Sequence, residues 1–119
     1  MVEGKGPGIE ERFGLKPKAL ELIREVFCRH PQVYTVKIFG SRAIGRFEDY
    51  SDVDLALWGD LNLQLLGRIL SELDELPLPY TFDVKAYEAI EQAPLKRHID
   101  QVGKILYVGQ VSSPSERQK

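Results

Sequence analysis

One stretch of this chain decides its fold, because it joins two strand-like segments through a polar turn: Phe39-Gly40-Ser41-Arg42-Ala43-Ile44-Gly45-Arg46-Phe47-Glu48-Asp49-Tyr50-Ser51-Asp52-Val53-Asp54. Residues 33–39 are β-branched and aromatic, which predicts a strand that ends at Gly40. Residues 52–58 alternate in polarity, which predicts a second strand. A short helix from Ser41 and a polar loop connect the two.

Hydrophobic periodicity outside this stretch predicts three longer helices and a third strand. Apolar residues recur at helical spacing from Pro17 towards Pro31, and again from Leu65 towards Pro77. Residues 80–85 alternate as a strand, and an amphipathic pattern from Pro94 to Leu106 predicts a final helix. The order α-β-(short α)-β-α-β-α predicts an α/β (α+β) domain with a small mixed sheet and helices packed on one face.

Length and composition favour a single globular domain. The chain has 119 residues, of which 43% are hydrophobic and 29% charged, as is usual for a folded protein of this size. The glycine-rich residues 1–14 are expected to form a flexible lead-in, and residues 15–109 the domain. Residues 110–119 are expected to be a polar tail.

Charge, cysteine content and hydropathy exclude several classes of protein. A net charge of -2 excludes a broad basic surface, so no direct nucleic-acid partner is expected. The single cysteine excludes an intrachain disulfide, and no Cys/His cluster has the spacing of a zinc site. No apolar run approaches about 18 residues, so no membrane span is expected. The predicted location is a reducing cytoplasm.

Three aspartates are candidate metal ligands. Asp52 and Asp54 stand at i and i+2 of the second strand, so both carboxylates should leave the same face of the sheet. If the third strand pairs beside the second, Asp83 joins them. Carboxylate oxygens in this arrangement suit Mg²⁺ or Mn²⁺. The alternatives are a solvated acidic pair on an open strand edge, and a contact between Asp83 and neighbouring Lys85.

The turn after the first strand is a candidate phosphate site. Gly40 would let a phosphate approach the backbone closely, and Ser41 would supply a hydroxyl donor at the start of a helix. Taken alone, the same residues are better explained by a capped helix after a tight turn. Together with the three aspartates, the turn suits in-line phosphoryl or nucleotidyl transfer.

The combined pattern resembles the minimal nucleotidyltransferase family of the DNA polymerase β-like superfamily. The resemblance covers residues 17–108 and rests on three parts: Gly40-Ser41-Arg42-Ala43-x-Gly45, Ser51-Asp52-Val53-Asp54-Leu55 and the later Asp83. It implies the polymerase β-like fold, nucleotide phosphates at the Gly-Ser turn with help from Arg42, and divalent metal at the three aspartates. Ile44 stands where many members carry arginine, which removes one possible phosphate contact.

The resemblance also implies a reaction and a partner. Similar proteins often pair, as antitoxins, with a small helical HEPN-domain ribonuclease toxin, and some transfer AMP from ATP to a tyrosine of that toxin. The expected function is therefore Mg²⁺-dependent transfer of AMP from ATP to a hydroxyl of a partner protein, with any oligomer formed through that partner. The short domain leaves little chain for an acceptor pocket, which fits an acceptor supplied from outside.

Two other functions stay open from the sequence, as do the roles of two side chains. The chain could neutralise its partner by occlusion with weak or absent catalysis, or it could transfer a nucleotide to a small molecule.

His98 falls on the apolar side of the last helix and is interpreted as a satisfied histidine at the core edge. Trp58 faces the same side as Asp54, where it either stacks on a base or simply packs.

Overall fold

The computed structural model of the chain describes residues 12–109, in which four strands form one mixed sheet. Strands β1 (Val33–Phe39), β2 (Val53–Gly59), β3 (Phe82–Ala86) and β4 (Lys104–Val108) lie in the order β3-β2-β1-β4. β1 pairs antiparallel with β2 and β4, whereas β2 and β3 are parallel. The longer helices are α1 (Pro17–Cys28), α3 (Leu63–Asp74) and α4 (Ala93–Val102), and α2 (Ser41–Ile44) is one turn long. The predicted mixed α/β class is confirmed.

The main core lies between one face of the sheet and helices α1 and α3. Alternation along β2 sends every second side chain into it, and α1 contributes the apolar stripe that its sequence predicts. The buried members from these elements include Leu20, Ile23, Phe27, Val53, Leu55, Leu57, Ile69 and Leu73. The opposite face of β2 is thereby left to carry Asp54, Ala56 and Trp58.

Helix α4 departs from the expected packing of all helices on one face. Its fully buried Ile99 contacts Phe39 and Ala56 in a second, smaller cluster on the other side of the sheet. This arrangement follows from alternation in β1 and β2, because the residues between those of the main core point to the opposite face. The consequence for the site is that α4 and Asp54 share that face.

Strand β4 corrects the prediction of a helix reaching Leu106. Helix α4 ends at Val102, where the N–H of Gly103 donates to the Ile99 carbonyl at 2.8 Å, and the chain continues as a strand beside β1. Leu106 comes four residues after Val102, so it matches the helical period although it belongs to a strand. The residues of β4 are largely β-branched and aromatic, a signal that this coincidence concealed.

The structure describes the last three residues of the expected lead-in. Residues Arg12–Gly14, at the end of the expected lead-in, form a 3₁₀ turn, and the carbonyl of Phe13 accepts a hydrogen bond from Arg42. Residues 1–11 and 110–119, to which the rest of the predicted lead-in and the tail belong, lie outside the described residues. Among residues 12–109, no helix has both the length and the apolar character to cross a membrane.

A small ionic cluster ties the end of α1 to α3. Nε2 of buried His30 donates to Glu72 at 2.9 Å, and Arg29 reaches the same carboxylate oxygen at 3.3 Å. The hydrogen bond from His30 is the main reason that the pKa of Glu72 lies below its ordinary value of 4.5. A carboxylate with a lowered pKa stabilises the fold above that ordinary value, and this stabilisation is lost as the pH falls through the folded-state pKa.

Glu72→Gln is therefore expected to lower the free energy of unfolding at pH 7 by about 1 kcal/mol, since the partly exposed charge-assisted bond is lost. Urea titrations at pH 7 and below pH 4.5 measure the effect, and the difference from wild type should shrink at the lower pH. Glu21→Gln is the matched control, because Glu21 pairs only with exposed Lys18 at 3.8 Å. An equal loss for both variants would contradict this account.

Candidate active site

The Gly-Ser turn at the end of β1 is bounded by two glycines with positive φ. Gly40 has φ 76° and ψ -156°, and its carbonyl accepts the N–H groups of Ala43 at 3.1 Å and Ile44 at 3.3 Å. Gly45 ends the turn with φ 81°, and the N–H of Arg46 donates to the carbonyl of Ser41 at 2.9 Å. The short helix predicted from Ser41 is confirmed, and the turn brings Ser41 to the edge where β1 ends.

Gly40 also lies directly against one of the candidate metal ligands. A Cβ added at this position would collide with Oδ2 of Asp54, the residue that pairs with Phe39 across β1 and β2. The backbone of the turn and the carboxylate of Asp54 are therefore in contact. Both the glycine's missing side chain and its backbone conformation are required for this approach.

Gly40→Ala is expected to destabilise the fold by about 2–4 kcal/mol, combining a glycine-only backbone conformation with the collision at Asp54. Gly45→Ala provides the matched control, because Gly45 also has positive φ but nothing lies within 4 Å of the place that a Cβ would take. Gly45→Ala should lower the free energy of unfolding by only about 1–2 kcal/mol. Thermal and urea unfolding measure both variants, and equal losses would mean that the contact with Asp54 carries no energy.

The three aspartates lie at neighbouring positions of β2 and β3. Asp83 is the register partner of Asp54 in the parallel pair, and exposed Asp52 immediately precedes β2. Burial raises the pKa of half-buried Asp54, and the negative charges of Asp83 and then Asp52 raise it further. The expected pairing of the second and third strands is confirmed, and the carboxylates are close enough to repel one another.

The three carboxylates nevertheless do not converge on one point. Across the described range 12–109, no three His, Cys, Asp or Glu side chains converge closely enough to hold an ion. Asp83 turns towards Lys85, whose Nζ lies 3.5 Å from its Oδ2. The donor set itself, three oxygen ligands that repel without a cation, fits a hard divalent ion.

Arg42 is a buried structural residue and does not face the open edge of the turn. Only 2% of its surface is exposed, and its guanidinium donates to the carbonyls of Phe13 (2.8 Å), Asp49 (3.2 Å) and Ser51 (3.0 and 3.1 Å). The rings of Phe47 and Tyr80 also contact it, at 5.1 and 5.0 Å from their centroids. These contacts speak against the expected phosphate contact and indicate that Arg42 holds the loop leading into Asp52.

Helix α4 contributes a contact that the sequence did not predict. The N–H of Gly40 donates to Nε2 of His98 at 3.1 Å, so the histidine interpreted as a core-edge residue is bonded to the Gly-Ser turn. The two residues are 58 positions apart, and no motif links them. The sequence signalled a role for His98 only through helical periodicity, which places it next to Ile99 on the packed side of α4.

Trp58 is a packed residue whose ring contacts both Tyr87 and Lys37. Tyr87 stacks on it at 4.6 Å between centroids, and Nζ of Lys37 lies 5.4 Å from its ring centroid. Lys96 contacts the Tyr87 ring at 4.7 Å, and the Tyr87 hydroxyl donates to Asp100 at 2.7 Å. Of the two alternatives left open by the sequence, these contacts favour packing over base stacking.

Comparison with known proteins places this geometry in a family. A family model described as "Polymerase beta, Nucleotidyltransferase" matches residues 21–110. Among curated proteins, the Haemophilus influenzae protein named "Probable protein adenylyltransferase MntA" is 32% identical over 75 residues. That match covers 61% of this chain and 66% of the relative, which is just under two thirds of the relative's length.

Solved structures show the same fold. A toxin–antitoxin crystal structure with AMP-PNP aligns with a TM-score of 0.59 at 21% identity, covering 82% of this chain and 77% of that one. A Shewanella oneidensis complex of a tri-AMPylated HEPN toxin with an MNT antitoxin aligns with a TM-score of 0.53 at 19% identity, covering 82% and 73%. With the family model matching most of its length, the chain belongs to the polymerase β nucleotidyltransferase family.

Proposed function

We propose that this chain transfers AMP from ATP to a hydroxyl group of a partner protein. One observation carries the proposal: the backbone of Gly40 touches the carboxylate of Asp54, whose register partner is Asp83. A phosphate-binding turn and two acidic residues therefore meet at one edge of the sheet. In-line nucleotidyl transfer requires such a combination, since the triphosphate and the attacking hydroxyl must be held together.

The Gly-Ser turn would bind the β- and γ-phosphates of the nucleotide. Because the N–H of Gly40 is already bonded to His98, the donors left for phosphate are the hydroxyl and N–H of Ser41, with Gly40 allowing the close approach. Exposed Arg46 takes over the charge contact that the sequence assigned to Arg42, whose guanidinium is buried. Arg42 contributes by fixing the loop.

Asp52, Asp54 and Asp83 would hold Mg²⁺ or Mn²⁺. Burial and then the negative charges of Asp83 and Asp52 raise the pKa of Asp54, so the ionised carboxylate is disfavoured. A bound cation would favour the ionised form. When bound, the ion would neutralise the carboxylates and stabilise the negative charge that develops on the phosphate oxygens and on pyrophosphate. The oxygen-only donor set favours these hard ions over zinc or copper.

The transfer itself would be a single displacement at the α-phosphorus of ATP. The acceptor hydroxyl oxygen forms a bond to this phosphorus, the bond to the β-phosphate oxygen breaks, and pyrophosphate leaves. Asp83 is the candidate general base that accepts the hydroxyl proton, because 47% of its side chain is exposed and an acceptor hydroxyl arriving from outside can reach its carboxylate.

The partner that we propose is a HEPN-domain toxin, with this chain acting as its antitoxin in the cytoplasm. The support comes from relatives: one is named a protein adenylyltransferase, and a solved complex holds an AMPylated HEPN toxin with an MNT antitoxin. Trp58 is already packed against Tyr87 and Lys37, which makes it a poor platform for an acceptor base.

The test is the intact mass of a HEPN-domain partner protein, after incubation of the purified pair with ATP and Mg²⁺. The proposal expects the partner's mass to rise in AMP-sized steps, with pyrophosphate released in equal amount. EDTA should stop the reaction, and added Mg²⁺ or Mn²⁺ should restore it. ATP that cannot be cleaved between the α- and β-phosphates should give no mass change.

An unmodified partner in a stable, neutralised complex would contradict the transfer and support neutralisation by occlusion. One observation favours this second candidate, namely that the acidic side chains among residues 12–109 do not converge on a common point. Transfer to a small molecule would instead be indicated if pyrophosphate were released from ATP and a small acceptor with no partner protein present.

A further inference from the structure

A hydrogen bond from Gly40 to His98 joins the backbone of the Gly-Ser turn to helix α4. The distance between the Gly40 nitrogen and Nε2 is 3.1 Å. An N–H group can donate only to a ring nitrogen with a free lone pair. The contact therefore assigns His98 the neutral ring with its proton on Nδ1.

The imidazole of His98 is held in place by its surroundings. Its ring meets the Phe39 ring edge-on, with centroids 6.1 Å apart and an angle of 79° between the planes. The neighbouring residue Ile99 is fully buried against Phe39 and Ala56, which fixes α4 on the sheet. The histidine is therefore a rigid acceptor, placed by a helix that is remote in sequence from the turn.

This acceptor fixes a glycine whose conformation would otherwise be poorly determined. Gly40 has access to more backbone conformations than any residue with a side chain, and at φ 76° and ψ -156° it is held in one that other residues avoid. Its carbonyl is fixed by Ala43 and Ile44, and its N–H is fixed by His98. Both ends of the glycine are then held while it lies against Asp54.

We propose that His98 is a positioning residue for nucleotide binding, which acts by holding the Gly-Ser turn at the spacing from Asp54 that the phosphates require. This inference rests on the proposed function, because the ligand concerned is ATP. His98 does not touch the nucleotide in this account. Its removal weakens binding by releasing Gly40, so that Ser41 no longer presents its donors in a fixed place relative to Asp54.

The test compares His98→Leu with His98→Gln. Leucine keeps an apolar side chain against Phe39 but cannot accept a hydrogen bond, whereas the glutamine carbonyl oxygen can replace Nε2. We expect His98→Leu to speed amide hydrogen exchange at Gly40 by about tenfold and to raise the Kd for ATP with Mg²⁺ by about tenfold. Both changes have the size expected for the loss of one hydrogen bond. His98→Gln should restore both to within about threefold of wild type.

His30→Gln is the control, since His30 is the other histidine of the chain and contacts Glu72 far from the turn in the fold. It should lower overall stability without changing the Kd for ATP. Equal Kd values for wild type and His98→Leu would overturn the inference, as would failure of His98→Gln to restore binding while Gly40 exchange recovers. If the wild type itself bound no ATP, the proposed function would fail, and the inference with it.

Discussion

Replacing both Asp52 and Asp54 by asparagine is expected to abolish AMP transfer to the partner while leaving the fold at least as stable as the wild type. The loss should be at least about 10³-fold, because the charge stabilisation supplied by a bound divalent ion is worth several kcal/mol and about 1.4 kcal/mol corresponds to tenfold in rate. Neutral amides keep the shape of the site but bind a hard cation much more weakly than carboxylates.

The stability expectation follows from the sign of the pKa shift at Asp54. Burial, then Asp83 and Asp52, raise its pKa above the ordinary 3.8, so the folded protein binds a proton at Asp54 more readily than the unfolded chain does. That stabilisation is complete below pH 3.8 and is lost as the pH rises through the folded-state pKa. Ionisation of Asp54 therefore destabilises the fold, and asparagine, which cannot ionise, avoids that cost.

Two measurements on the same protein preparations check this pair of expectations. Intact mass of the partner reports transfer, and thermal unfolding without metal reports stability, where the double variant should melt at or above the wild-type temperature. Asp74→Asn at the exposed end of α3 is the matched control and should change neither. A double variant that melts well below wild type would show that the aspartates stabilise the fold, and its inactivity would then say little about metal.

Arg42→Met is expected to lower the free energy of unfolding by about 3 kcal/mol or more, although methionine is also a long side chain and suits a buried position. The guanidinium makes four hydrogen bonds to three main-chain carbonyls, and it contacts two aromatic rings. Methionine can make none of these hydrogen bonds, and each such loss costs about 1 kcal/mol or more. Transfer should fall too, because Ser51 leads directly into Asp52.

Urea unfolding measures the effect, with two further variants to separate its causes. Arg42→Lys keeps the charge but cannot reach three carbonyls with a flat, forked group, so it should recover only part of the loss. Arg46→Met removes an exposed arginine four residues away and should alter stability by no more than about 0.5 kcal/mol. If Arg42→Met unfolded like wild type while ATP binding was lost, the phosphate role first assigned to Arg42 would be right after all.

The parts of the fold that the sequence predicted are those in which local pattern and tertiary structure agree. Alternation in residues 52–58 and 80–85 predicted the two strands that carry Asp54 and Asp83, and the condition that these strands lie side by side is met by their parallel pairing. The glycine after β1 likewise marked the turn, because few other residues tolerate its backbone conformation. Strand β4 escaped prediction since Leu106 happened to continue the period of the preceding helix.

The parts of the site that were missed depend on contacts between residues distant in sequence. An arginine beside a Gly-Ser turn looks like a phosphate ligand, and nothing local shows that carbonyls of Phe13 and Ser51 will surround it. The pairing of Gly40 with His98 is equally invisible, because it depends on α4 crossing to the second face of the sheet. Side-chain orientation in three dimensions, and not residue type, decides both roles.

The stacked pair Trp58 and Tyr87 gives this protein a built-in optical reporter. Trp58 is the single tryptophan of the chain, so its fluorescence can be assigned without labelling. Its ring contacts Lys37 of β1 and Tyr87, and Lys96 of α4 contacts the Tyr87 ring. Emission colour and quenching will therefore change when α4 leaves the sheet, and a stopped-flow trace can time that separation.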